Sequence, residues 1–346
     1  AWTRWLRVAA GRSNSLYRSK RAGATDGREM DNGNIASMSV KELRAYITSA
    51  GLKHDDCFEV SDLRARAEEA HARHTDGVKI TQGQGSGSSA GKASAELRTE
   101  RRKFSAYDCA LVGQPDVLSG QTAPGLIVIL LHGLGSNSDD FVALPEALRL
   151  HESMDKPVLW VLPQAPLGKM ATTAWWTIDI MQWIGAFQQG QNAIARLIRD
   201  VPPGLPECRA AMVALVDEVC KHASGAPHAR VVIGGFSQGA MTAIDTALSM
   251  PAGGRVAGIL SLSGAPIVVE EWAAKLATHK GIHVLMTHGT ADSTLPFFVS
   301  EWLEQMLSHN GAIVRKEVHS DGHTLGPARV LQAVRDFLVE RALAAD

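Results

Sequence analysis

In the stretch VVIGGFSQGAMTAIDTAL, residues 231–248, Ser237 stands between Gly235 and Gly239, after a run of small apolar residues and before a helical apolar pattern. A serine hydroxyl attacks a carbonyl carbon only if a neighbouring base takes its proton, so a reactive Ser237 needs a histidine. That histidine in turn needs an acceptor that fixes its tautomer. Two later loops hold those residue types. THGTADSTLP places Asp292 55 residues after Ser237, and HSDGHTLGP places His323 31 residues after Asp292. The Gly-x-Ser-x-Gly pattern alone is weak, arising by composition in roughly one chain in ten of this length. What strengthens it is position, since each of the three residues lies just after a candidate strand.

Those runs are the elements that must hold the residues in place. Candidate strands are Leu126 to Leu131, Val158 to Leu162, Arg230 to Gly234, Val256 to Ser261, His283 to Thr287 and Ala312 to Val318. Helical patterns lie between them: Leu144 to His151, Pro206 to His222, Gln238 to Met250, Trp272 to His279, Phe297 to Asn310 and Pro327 to Ala344. Short buried strands alternating with helices predict an α/β fold, a mostly parallel sheet covered on both faces, with ligand sites at the carboxyl ends of its strands. The loop LHGLGSNSDDF, residues 131–141, follows the first strong strand, and its glycines let backbone N–H groups turn toward a ligand. In a serine hydrolase the oxyanion donors would then be the amides of Leu134 and Gln238.

Four competitors are read as structural. Asp321 is too near His323 in sequence to reach its Nδ1 and is taken as capping the loop. His319 belongs on the preceding strand, packed or solvated. Asp245, seven residues into the helix after Ser237, is expected exposed or paired locally, and His132 is a loop residue rather than a base. The order Ser, Asp, His is that of α/β-hydrolases.

The blocks LHGLGSNSDDF, GGFSQGAM, THGTADSTLP and DGHTL make the region from about 120 to 342 resemble the phospholipase/carboxylesterase family, which includes the acyl-protein thioesterases. The resemblance implies an α/β-hydrolase that cleaves carboxylic esters or thioesters with Ser237, Asp292 and His323 as its triad, and it implies no metal and no organic cofactor. No HExxH motif or Cys/His cluster suggests one, and HARH at 71–74 reads as the end of an exposed helix. The segment ATTAWWTIDIMQWIGAFQQ lines an acyl groove in the family's manner or is ordinary core. Trp175, Trp176 and Leu295 are the candidate substrate-binding residues. WWTID departs from the thioesterase form SWFD, and PPGLPE at 202–207 is closer to the family's bacterial esterases. The acyl substrate is therefore left as a small ester, a lysolipid or an acylated protein. The rival from another class is a non-catalytic binding protein on the same scaffold.

Composition bounds the rest. The chain has 346 residues, 45% of them hydrophobic and 21% charged, with a formal net charge of -1, so no global field draws it to nucleic acid. Four widely spaced cysteines point to reduced thiols, and no apolar run reaches the roughly 20 residues of a membrane span. The expected location is cytoplasmic, with the alternative of mitochondrial targeting. Residues 1–35 form a basic tail, rich in Arg and Ser and free of acid before Asp26, which also fits an organelle transit peptide. Residues 36–75 carry KELRAYITSAGL and SDLRARA, two short helices that loosely resemble the SAP-like fold. Their acidic residues argue against nucleic acid and for a protein partner or tether. Residues 76–105 are assigned to a Gly/Ser-rich linker and 106–346 to the catalytic domain.

Overall fold

The structure, a computed structural model, describes residues 96–345 apart from 169–171 and 252, together with Leu43, Ile47, Leu63, Arg64, Arg66 and Ala67. Its strands are β1 (Arg98–Phe104), β2 (Tyr107–Gly113), β3 (Leu126–Leu131), β4 (Val158–Pro163), β5 (Val231–Phe236), β6 (Gly258–Leu262), β7 (His283–Gly289) and β8 (Ile313–His319). The helices are α1 (Pro115–Leu118), α2 (Leu144–Leu148), α3 (Ile180–Gln189), α4 (Gln191–Leu197), α5 (Leu205–His222), α6 (Gln238–Ser249), α7 (Val269–Leu276), α8 (Phe297–His309) and α9 (Ala328–Leu343).

Runs such as LIVILL and VLWVLP are too short for stable helices and have no polar face, so they pair as strands whose residues are all buried. The sheet order is β1-β2-β4-β3-β5-β6-β7-β8. From β4 to β8 every pairing is parallel, as the helical crossovers require, while β1 and β2 join antiparallel at one edge. This is the mostly parallel α/β sheet expected.

The edge hairpin was not expected. β1 begins at Arg98, inside the stretch assigned to the linker, and its sequence RTERRKF buries only Phe104. A charged edge strand shows no apolar alternation, because its outward face meets water and the charges block pairing with another chain. It pairs in register with β2, with Arg101 opposite Ala110, across the two-residue turn Ser105–Ala106. Arg101 then reaches beyond the sheet, where its Nη1 donates to Ser138 Oγ at 2.9 Å.

By contacts the chain divides into two units, one of Ala1–Ile80 with Asp179–Asp200 and one of Thr81–Ile178 with Val201–Asp346. In the first, Leu43, Ile47, Leu63 and Ala67 are helical and buried. The remainder of the SAP-like stretch, the basic tail and HARH lie outside the described residues. In the same unit the Asp179 side chain caps α3 by accepting from Gln182 N at 2.9 Å, and Trp183 and Ile194 are buried. The aromatic-rich segment is thus split at Ile178. In the second unit, burial pushes the free thiols of Cys109, Cys208 and Cys220 up to about 12, 11 and 12, which leaves them unreactive. Among the described residues no helix is long and apolar enough to cross a membrane.

Candidate active site

Ser237 sits where β5 turns into α6. It holds φ 55° and ψ −119°, a left-handed backbone that a side chain adopts only under constraint. The constraint is close backbone packing. A Cβ on Gly239 would overlap the Leu131 carbonyl oxygen, and one on Gly235 would overlap the Gly239 backbone, so both flanking glycines are demanded by space rather than by φ. Ser237 N extends the sheet ladder to Leu262 O at 2.9 Å. Gln238 is the first residue of α6, so its N–H has no carbonyl one turn earlier to bond and faces outward at the positive end of the helix.

The loop after β3 is fixed by His132, which is fully buried. Ala165 N donates to its Nε2 at 3.0 Å, so the proton resides on Nδ1, which donates to Gly133 O at 2.8 Å. Burial holds this imidazole below the usual histidine range, against the opposing pull of the Gly133 bond, and so keeps it neutral. Ser136 N also bonds Gly133 O, at 3.2 Å. With that carbonyl held on one side, the planar trans peptide turns the N–H of Leu134 to the other. His132 thus acts as the loop residue expected.

Asp292 lies three residues beyond β7 and His323 four beyond β8. His323 Nδ1 donates to Asp292 Oδ2 at 2.6 Å, which fixes the tautomer with a bare Nε2. The other carboxylate oxygen accepts from Thr294 N at 2.9 Å and Leu295 N at 2.8 Å. Burial alone would push the Asp292 carboxyl up. The bond and charge of His323, the Leu295 amide and nearby His288 outweigh it and hold the group below the usual carboxylate range. The two loops are locked together, because Thr290 N bonds His319 O at 2.8 Å and Ala291 N bonds Asp321 O at 3.1 Å. The His323 ring lies 4.8 Å from that of Phe236, the residue before Ser237.

Trp175, Trp176 and Leu295 are all buried. Gln238 Oε1 accepts from Trp175 N at 3.1 Å and Gln238 Nε2 donates to Trp176 O at 2.8 Å, so one side chain pins both tryptophans to the elbow. Trp175 Nε1 donates to His132 O at 2.7 Å, and Trp176 Nε1 to Thr242 Oγ1 at 3.1 Å. Of the competitors, His319 ends β8 and is buried, and Asp321 stays in the loop beside it. Asp245 is a correction. It is neither exposed nor locally paired, but 1% exposed and held bidentately by Arg209 of α5 at 2.7 and 2.8 Å. His288 is a site residue that the sequence reading overlooked. Its signal is a histidine inside the buried strand HVLMTHG. His288 Nε2 lies 2.8 Å from Leu295 O and 3.3 Å from Asp292 Oδ2.

A family profile described as Phospholipase/Carboxylesterase matches residues 112–341. Acyl-protein thioesterase 1 of Neurospora crassa is 29% identical over 218 residues, which is 62% of this chain and 86% of the relative. The protein of the same name in Schizosaccharomyces pombe is 28% identical over 218 residues, 60% and 88% respectively. Among solved structures, esterase PE8 aligns with a TM-score of 0.52 at 25% identity, covering 71% of this chain and 99% of that one. A carboxylesterase from Mesorhizobium loti aligns with a TM-score of 0.51 at 21% identity, covering 69% and 98%, and speaks to the fold alone. The profile spans well over half of the chain, and it falls on the sheet and loops just described; the chain belongs to the phospholipase/carboxylesterase family and is a hydrolase with the α/β-hydrolase fold.

Proposed function

We propose that the chain is a serine carboxylesterase or acyl thioesterase in which Ser237 is the nucleophile, His323 the base and then the acid, and Asp292 the orienting carboxylate. The observation that carries this reading is the 2.6 Å bond from His323 Nδ1 to Asp292 Oδ2, which leaves Nε2 bare at the end of β8 next to the elbow. Ser237 Oγ attacks the acyl carbon and its proton passes to His323 Nε2. The amides of Leu134 and Gln238 meet the developing oxyanion. Collapse of the tetrahedral intermediate expels an alcohol or thiol, which takes the proton from Nε2. Water repeats the sequence on the acyl-serine, releasing the carboxylic acid and restoring Ser237.

The acyl group is assigned to a wall that includes Trp175, Trp176 and Leu295, whose positions are tied to the elbow and to Asp292 by the bonds given above. The names of the curated relatives favour a thioester on a protein, and esterase PE8 favours a carboxylic ester. Residues 36–75 are assigned to docking a protein partner.

Replacing Ser237 by Ala is expected to lower turnover of a p-nitrophenyl ester by a factor on the order of 10⁴. A fluorophosphonate probe should label the wild-type chain and not the variant. Activity retained in Ser237→Ala would remove the assignment, and a folded wild-type chain that neither turns over esters nor labels would be a binding scaffold. Rates across esters of two to sixteen carbons, beside a palmitoylated peptide, then separate small-ester from long-acyl substrates.

A further inference from the structure

His288 is fully buried near the end of β7, its Nδ1 has no hydrogen-bond partner among the described residues, and its Nε2 faces two acceptors. Leu295 O lies at 2.8 Å and Asp292 Oδ2 at 3.3 Å. Two acceptors on one side require the proton on Nε2, so Nδ1 is a bare, unsatisfied nitrogen. A buried unpaired nitrogen costs stability that an apolar side chain at this position would avoid. Packing against the Phe297 ring, 6.1 Å away, therefore does not explain a histidine here.

We propose that His288 is a positioning residue for the reaction, a second N–H that holds the Asp292 carboxylate at Oδ2, the oxygen the backbone amides do not bond. Asp292 Oδ1 accepts from Thr294 N and Leu295 N, and Oδ2 accepts from His323 Nδ1 with His288 Nε2 lying 3.3 Å away. With both oxygens held, the carboxylate cannot rotate about its Cβ–Cγ bond. The charge that His288 draws from Oδ2 also helps to keep the shared proton on His323. The same imidazole grips the Leu295 carbonyl, so it fixes the loop that supplies one of the two amides. The inference rests on Asp292 and His323 acting as the triad pair.

The groups facing this corner are His323 across Asp292, Lys316 of β8, and His319 with Asp321 at the end of β8. Lys316 is engaged by Glu304 at 3.0 Å and lies over the Phe297 ring. Without the His288 donor, more of the Asp292 charge falls on His323 and its imidazolium is favoured. A base that must be deprotonated to act then needs a higher pH, so the acid limb of kcat/KM moves upward.

The test uses the full chain with a p-nitrophenyl ester between pH 5 and 9, comparing His288→Phe and His288→Gln. Phenylalanine removes the donor, and glutamine can restore an N–H at the position of Nε2. His288→Phe is expected to lose kcat by about tenfold with KM within about twofold, and its acid limb to rise by about 0.5 unit. His288→Gln should recover most of both. Wild-type kinetics and an unmoved limb in His288→Phe would overturn the proposal. So would equal losses in both variants with the limb unmoved, which would mark a packing role. If His288→Phe does not fold, nitrogen NMR of the wild-type histidines decides: a neutral His288 protonated on Nε2 at pH 7 supports the proposal, and the Nδ1–H tautomer overturns it. Ser237→Ala in the same assay separates the two readings. Activity in that variant removes the triad, whereas an inactive Ser237→Ala beside a normal His288→Phe removes only the role of His288.

Discussion

Gln238 serves the site twice, through a main-chain N–H at the start of α6 and through a side-chain amide bonded to Trp175 N and Trp176 O. Truncating it to Ala keeps the first and leaves two buried backbone groups unpaired. The expected loss is about 2–4 kcal/mol of stability, at roughly 1–2 kcal/mol per orphaned group. Because the tryptophans are freed while the main-chain N–H proposed as an oxyanion donor remains, KM should rise more than kcat falls. Urea unfolding and ester kinetics on Gln238→Ala check both parts, and an unchanged midpoint would mean that the two tryptophans are held by packing alone. Ser237, Asp292 and His323 were legible as candidates because each lies within a few residues of the end of a strand that the sequence marks. Gln238 was legible only as a main-chain donor. Its side-chain role depends on a partner 62 or 63 residues away, and nothing in the local pattern announces that.

At the scale of elements, Asp245 shows why a charge within a helix cannot be placed from its own helix. It is buried on α6, takes both Nε and Nη2 of Arg209 from α5, and accepts from Trp272 Nε1 of α7 at 2.9 Å. Arg209 also pairs with Glu271 at 2.9 Å, so one cluster clamps three helices on the side of the sheet that carries the elbow. Removing only the carboxylate leaves the Arg209 guanidinium with Glu271 alone and strands the Trp272 indole N–H. Asp245→Ala is expected to cost about 3–5 kcal/mol, whereas Asp245→Leu combined with Arg209→Met should cost far less. Chemical denaturation of the single and double variants makes the comparison, and equal losses would show that the ion pair itself stabilises. The same logic explains which elements were legible. β3 to β7 are read because burial on both faces makes them short apolar runs. β8, a half-exposed edge strand, is read from Val314 and Val318, which flank its charged residues, before the last helix. β1 and β2 are missed because RTERRKF follows the edge strand's exposure to water and YDCALVG puts Asp108 into the run. The charge of Asp245 pointed to water only for as long as α5 and α7 were out of view.

Among the described residues, three of the buried histidines are held neutral: His132, which accepts from Ala165 N, His288 beside Asp292, and His319, neither of whose ring nitrogens has a hydrogen bond. For each, burial is the main cause that lowers the affinity for a proton below the usual value of 6.5. His222 and His283 shift the same way from more exposed positions and add less. The unfolded chain therefore binds more protons than the folded one from about pH 6.5 down to the lowered native values, and stability must fall as pH falls through that window. The steepest loss is about 1.4 kcal/mol per pH unit for each histidine, so up to about 4 kcal/mol per unit for three acting together. Asp292 has the same sign at lower pH. Its carboxyl is held below the usual 3.8, so the stability it contributes is present above that value and is lost only as pH drops through its own depressed range. Unfolding midpoints at pH 7.5, 6.5 and 5.5 in one buffer of constant ionic strength should decline in steps that grow below 6.5, well before carboxylates titrate. A flat profile over that range would mean that these imidazoles already accept protons in the native state, and the neutral tautomers assigned to His132 and His288 would fall with it.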